Sequence, residues 1–215
     1  MGAALEAARE RGAETSILYI SDLNIESCRA CYDQCSKQPY VCPVEDDLVR
    51  VLKEMQDADA IIIGSPRYFR VPSRLTALAE RLACLAYFNE MRGFGGPEPL
   101  EDKPVGFVVA TGGDDPAPVF DLLLNLALSL RMKPMTLKAF PYLGVSAVGG
   151  IEPREGYDPV EKARELGKLL VESARKAYRI GDSPAPHLNL RRKTDFPNAG
   201  PLLTLGFGDS CKTGL

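Results

Sequence analysis

Four of the six cysteines, Cys28, Cys31, Cys35 and Cys42, are crowded into one short segment. Thiolates are soft ligands suited to an iron-sulfur cluster or zinc. A compact loop can bring four sulfurs to one centre, and the segment closes on Cys42-Pro43, a Cys-Pro ending also found in iron-sulfur loops. Zinc sites more often use two paired Cys-x2-Cys knuckles or a histidine. Here there is one such pair, and the single histidine, His187, is distant in sequence. The spacing therefore favours an iron-sulfur centre over zinc, with a redox-active dithiol or metal-free packing also open. Cys84 reads as core on the apolar side of a helix, and Cys211 as a tail cysteine without a visible partner.

Two other segments could do chemistry. Gly64-Ser65-Pro66-Arg67-Tyr68-Phe69 follows an apolar run. Such a loop can offer backbone amides and a hydroxyl to a planar heterocycle while its aromatic rings pack on it. Thr111-Gly112-Gly113 follows a second apolar run. Either segment alone is equally an ordinary turn. Their joint placement at successive strand ends favours a ligand crevice.

The intervening sequence must position these groups. Residues 2–11 suit a short helix closed by Gly12, and Ser16–Ile20 reads as a strand. The cysteine loop covers 22–43. Leu48, Val51, Leu52 and Met55 then recur at helical spacing. Ala60–Gly64 and Val105–Ala110 are apolar throughout, as strands covered on both faces are. Helices are expected over 72–91, 117–131 and 158–179, and a strand near 135–140. Such alternation predicts an α/β fold with a parallel sheet and helices on both faces. Ligands bind at the carboxyl ends of the strands in sheets of this kind. From Gly181 the composition turns to Pro, Gly, Asn and basic residues, so 181–215 reads as an irregular C-terminal extension of a domain covering 1–180.

Composition narrows the function classes. The formal net charge of −3 argues against nucleic-acid binding as a general property. No stretch approaches the roughly 20 apolar residues of a membrane span, and the N-terminal residues lack a secretory pattern. A reducing cytoplasm is the expected compartment, where clustered cysteines are read as ligands before disulfides.

In order along the chain come the cysteine loop, Asp46-Asp47, Ala58-Asp59-Ala60-Ile61-Ile62-Ile63-Gly64-Ser65-Pro66-Arg67-Tyr68-Phe69, Arg81-Leu82, Thr111-Gly112-Gly113, Tyr142-Leu143-Gly144 and Ala163–Gly167. This series resembles the NADPH-dependent FMN reductase family, and within it the iron-sulfur flavoprotein branch, over about residues 3–178. The resemblance implies a flavodoxin-like three-layer sandwich that binds FMN. Ser65, Pro66, Arg67, Tyr68, Phe69, Thr111, Gly112 and Gly113 would form the cofactor loops. Cys28, Cys31, Cys35 and Cys42 would hold a [4Fe-4S] cluster, with zinc as the alternative. It further implies electron transfer from NAD(P)H or a ferredoxin-like donor, in a homodimer or homotetramer. Other readings are a flavin or quinone reductase without a cluster, and a binding or scaffold protein that kept the fold alone.

Two features depart from the family pattern. The gap between Cys31 and Cys35 is one residue longer than usual. The family's first strand and the phosphate loop after it have no counterpart before residue 2, where the sequence already reads as the following helix. In a sheet of order 2-1-3-4-5 that strand is central, so either the sequence is truncated or another segment fills the gap; truncation, with an open crevice and weak FMN binding, is the expectation.

Overall fold

The computed structural model describes residues 1–94, 98–138, 141–149, 156–180 and 201–206. Helix α1 (Gly2–Glu10) leads into strand β1 (Thr15–Tyr19), and the cysteine loop contains one short helix, α2 (Tyr32–Cys35). Then follow α3 (Leu48–Asp57), β2 (Ala60–Pro66), α4 (Ser73–Arg92), β3 (Pro104–Thr111) and α5 (Ala117–Ser129). Two short strands, β4 (Lys133–Pro134) and β5 (Val145–Val148), precede the long helix α6 (Pro159–Ile180) and the last strand, β6 (Leu202–Gly206). All strand pairs are parallel, in the order β1-β6-β2-β3-β4, with β5 also on β3.

Strands β2 and β3 are buried on both faces, which is why their sequences are apolar without alternation. One face packs on α3, α4 and α5 through Val51, Met55, Leu78, Leu82, Phe107 and Leu123. The other packs on α1 and α6 through Leu5, Ala8, Ile62, Leu166 and Leu170. Helices α1 and α6 approach closely: a Cβ on Gly167 would meet the Ala4 carbonyl oxygen at 2.1 Å. The result is the expected three-layer α/β sandwich.

The central position that the sequence reading left without a strand is filled. Residues Leu202–Gly206 pair with β1 from Thr15↔Leu202 to Tyr19↔Gly206, and with β2 from Ala60↔Leu202 to Ile63↔Leu205. The expected missing strand is thereby corrected: a five-residue apolar run, set in a Pro- and Gly-rich context, satisfies the facing edges of β1 and β2. Residues 202–206 are accordingly strand rather than irregular extension. Apart from Pro201, the rest of that extension, including His187 and Cys211, lies outside the described residues.

The strand expected near 135–140 is also corrected. The chain pairs with β3 over Lys133–Pro134 and rejoins it over Val145–Val148. Between them Leu137 N–H donates to the Tyr142 carbonyl at 2.7 Å, closing a loop instead of a ladder. Gly144 permits the return: a Cβ there would lie 2.4 Å from the Phe107 carbonyl oxygen. Residues 139 and 140 fall outside the described set.

Candidate functional site

The cysteine loop leaves β1 through a 3-10 turn at Ile20–Asp22, and its first residues are stapled by two adjacent carboxylates. Asp47 accepts from the Asn24 amide at 2.7 Å, and Asp46 from the amides of Glu26 at 2.8 Å and Leu48 at 3.0 Å. The acidic pair thus ties the loop's first residues to the start of α3. Tyr32 packs on Phe88 of α4 with ring centroids 5.8 Å apart, which holds α2 against that helix. Ala30 and Tyr40, neither a glycine, have φ of 52° and 56°. A left-handed conformation at such residues persists only where surrounding contacts enforce it.

The loop and α4 together form a pocket lined by Cys28, Cys31, Cys35, Cys42, Arg81 and Cys84, among others. All four cysteines singled out by spacing are therefore brought together. Cys84 was read as plain core; it packs on the core and lines this pocket too. Its only sequence signal was its position three residues after Arg81, on the same turn of one helix face. These five thiols are free of disulfides. Burial pushes the Cys84 thiol up to about 12, with the neighbouring Cys35 and Cys28 adding to the rise. Cys35 is likewise raised, mainly by burial. Among the described residues no group of His, Cys, Asp or Glu already stands in metal-ligand geometry.

Arg81 is the other residue that spacing did not single out as functional. Its side chain is 1% exposed and pairs with Asp46, itself 0% exposed. The guanidinium also donates to the Glu26 carbonyl at 3.2 Å, the Val44 carbonyl at 3.3 Å and Cys42 Sγ at 3.2 Å. Its Nε is buried without a partner. A soft donor set, a pocket and an orphaned buried N–H beside it fit a thiolate-held anionic centre.

The second region lies at the carboxyl ends of β2 and β3. Ser65 and Pro66 end β2, opposite Val109 and Ala110. The Ser65 hydroxyl donates to the Pro66 carbonyl at 2.9 Å. The Arg67 amide continues the ladder to the Ala110 carbonyl at 2.7 Å, while its side chain donates to the Asp115 carbonyl. Arg67 Nε is buried and unpartnered. Thr111 is buried and its hydroxyl oxygen accepts from the Gly113 amide at 3.3 Å. Gly113 has φ 117°, a conformation costly for any side-chain-bearing residue. Tyr68 is 63% and Phe69 90% exposed, so both rings are free to pack on something else. The two loops are neighbours across the β2–β3 pairing, as the sequence reading required.

A parallel sandwich with loops at adjacent strand ends defines a flavodoxin-like protein. The chain belongs to the NADPH-dependent FMN reductase family, whose sequence profile matches residues 1–142. That membership makes it a flavin-dependent oxidoreductase. An iron-sulfur flavoprotein of Archaeoglobus fulgidus is 29% identical over 186 residues, covering 83% of this chain and 89% of the relative. An iron-sulfur flavoprotein of Methanosarcina thermophila is 40% identical over 90 residues, 41% of this chain and 46% of the relative. Among solved structures, RosB with a bound 8-demethyl-8-formylriboflavin-5'-phosphate superposes with a TM-score of 0.58 at 18% identity, covering 91% of this chain and 85% of that one. A flavone reductase superposes with a TM-score of 0.53 at 21% identity, covering 82% and 57%. These structural likenesses establish the fold. No described helix is long and apolar enough to cross a membrane.

Proposed function

We propose that the chain is an electron-transfer oxidoreductase of iron-sulfur flavoprotein type. In this reading Cys28, Cys31, Cys35 and Cys42 hold a [4Fe-4S] cluster, and FMN lies against Ser65–Phe69 and Thr111–Gly113. The supporting observation is the single pocket lined by the four cysteines with a buried, partly unpartnered arginine beside them. FMN supplies two-electron chemistry and the cluster single-electron chemistry, so the pair links donors and acceptors of the two kinds.

The protein's own work is positioning. Asp46 and Asp47 tie the first residues of the cysteine loop to the start of α3, and the Tyr32–Phe88 contact sets its distance from α4. Backbone pairing of β2 and β3 sets the spacing of the two flavin loops, and the buried Arg67 Nε offers a donor to an acceptor placed there. A nicotinamide donor accords with the family's NADPH dependence. Assembly into a homodimer or homotetramer would give the exposed Tyr68 and Phe69 a partner surface.

Anaerobic spectral titration tests the reading. Stepwise reduction by NADPH or dithionite is expected to bleach a flavin band and, separately, broad sulfur-to-iron absorption in the visible range. Flavin bleaching alone would leave a reductase without a cluster, and absence of both bands a protein that keeps only the fold.

A further inference from the structure

We propose that Arg81 is a positioning residue that sets the reduction potential of the cysteine centre through its hydrogen bond to Cys42. The inference rests on the cluster reading above. Arginine offers five N–H donors in one rigid plane. Four have acceptors here: the Asp46 carboxylate and the Glu26 carbonyl on Nη1, and Cys42 Sγ and the Val44 carbonyl on Nη2. The fifth, on Nε, is buried and unpaired. Glu26 and Asp46 bracket the cysteine loop, while Val44 and Cys42 belong to its last turn. One side chain from α4 therefore fixes both ends of the loop and donates to a ligand sulfur.

Charge sharpens the point. Among the described residues Asp46 is the sole carboxylate on this guanidinium, and its oxygens also take the Glu26 and Leu48 amides. Arg29 also lines the pocket but is 62% exposed and paired with Glu26, and Arg92 reaches the Ser36 hydroxyl beside Cys35. Arg81 is thus the desolvated cation in contact with the thiol set. A hydrogen bond to a ligand sulfur and an adjacent positive charge both favour the more negative, reduced state, and both are recognised determinants of cluster potential. A lysine would keep the charge and lose the planar fork, so Arg81→Lys separates the two contributions from Arg81→Met, which loses both.

The test is an anaerobic redox titration of the reconstituted full chain, followed by electron paramagnetic resonance. Wild type, Arg81→Lys and Arg81→Met are compared at equal iron and sulfide content. The reduced-to-oxidised ratio at fixed ambient potential is expected to fall about tenfold in Arg81→Met, ~59 mV for one electron. In Arg81→Lys it should fall by less. An unchanged midpoint in both variants overturns the proposal while leaving the cluster reading intact. A wild type without iron and sulfide overturns both, and that outcome is recognisable before any variant is made. Should neither variant fold, Asp46→Asn removes the counter-charge and keeps the guanidinium. Its midpoint should rise, and an unchanged midpoint is again contrary.

A different observation, the place of β6, carries a second inference. The geometry points to β6, α1 and β1 as one β-α-β unit whose elements follow in space but not in this chain's order. β6 and β1 are parallel neighbours, and Leu202 shares a core cluster with Ala4, Leu5 and Ala8 of α1. The Met1 side chain sits over the carboxyl ends of β6 and β2: a Cβ on Gly206 would meet its Cε at 2.4 Å, and one on Gly64 its Sδ at 2.0 Å. The start of α1 therefore stands where a β6-to-α1 crossover would deliver it. The element order is a cyclic permutation of the 2-1-3-4-5 arrangement.

A gene encoding 201–215 followed by 1–180 is expected to give a folded protein with the FMN content of the original order. Failure to fold or to hold FMN is contrary. In the original chain, hydrogen exchange should protect the amides of 202–206 as strongly as those of 60–64 at every protein concentration. Fast exchange there overturns the inference, as does protection that fades on dilution, since the strand would then come from a second copy.

Discussion

Arg81 and Asp46 form an ion pair removed from solvent, with side chains 1% and 0% exposed, that joins α4 to the beginning of α3. Both partners carry further hydrogen bonds to the cysteine loop, so the pair couples the site to the sandwich. Two buried charges are tolerable together because each supplies the other's missing solvation. Asp46→Ala would leave the guanidinium buried and uncompensated, at a cost of about 3–5 kcal/mol. Urea unfolding of the full chain checks this, with a lowered midpoint expected at unchanged slope.

The same pair predicts an acid response. Burial by itself would raise the Asp46 carboxyl, but hydrogen bonds from Arg81 and the Glu26 and Leu48 amides outweigh it and hold the group below its ordinary value of 3.8. A carboxylate depressed in the folded state contributes stability that is present above its unfolded value and lost as pH falls through the folded one. Thermal melts from pH 6 downward should therefore show the wild-type melting temperature falling toward that of Asp46→Asn below the ordinary carboxyl range. A gap that stays constant across that window would count against the assigned hydrogen bonds.

The central strand carries a prediction of opposite sign. Thr204 is fully buried in β6 and its hydroxyl has no partner. Strand alternation puts it on the same face as Leu202, toward α1 and α6. Thr204→Val removes an unsatisfied polar group of similar shape, so stability should be unchanged or rise by about 1 kcal/mol. Thr204→Lys should unfold the protein. A lysine tolerated there would place the strand in solvent.

Close packing of α1 on α6 gives another check. Gly167→Val would drive a side chain into the Ala4 carbonyl, 2.1 Å from the position of a Cβ. Overpacking of this kind costs about 1–3 kcal/mol. Because α1 also flanks β6, loss of FMN should accompany the lowered melting temperature.

On the flavin side, Phe69 is 90% exposed. Phe69→Ala should leave stability within about 0.5 kcal/mol. If the ring packs on FMN, dissociation of the flavin rises roughly threefold to tenfold, the range of one aromatic contact. Flavin fluorescence on dilution measures it.

The sequence made the sandwich legible because Ile61–Ile63 and Val105–Val109 are apolar on both faces and the helices between them keep a 3.6-residue period. Leu202-Leu203-Thr204-Leu205 carries the same kind of signal, and it was hidden by its surroundings: Pro, Gly and basic residues on the N-terminal side, and a chain position at which no central strand was expected. Parallel pairing is a long-range property, so local composition misled where tertiary contacts decided. The four cysteines were legible from density alone. The part Cys84 and Arg81 play at the pocket was not: Arg81-Leu82 entered only as part of the family resemblance, and a helix face shows nothing of which loop folds against it. The two-part edge of β3, split between β4 and β5, depends on a loop closed by backbone hydrogen bonds that no side-chain pattern announces.

The central claim is that the cysteine pocket holds an iron-sulfur cluster in a flavoprotein. Iron, zinc, acid-labile sulfide and FMN measured per chain, on protein purified or reconstituted without oxygen, test it most directly. The account predicts about four iron and four sulfide beside one FMN, with iron lost in Cys28→Ser or Cys42→Ser and kept in Cys84→Ser. One zinc without sulfide, or FMN without metal, would contradict it.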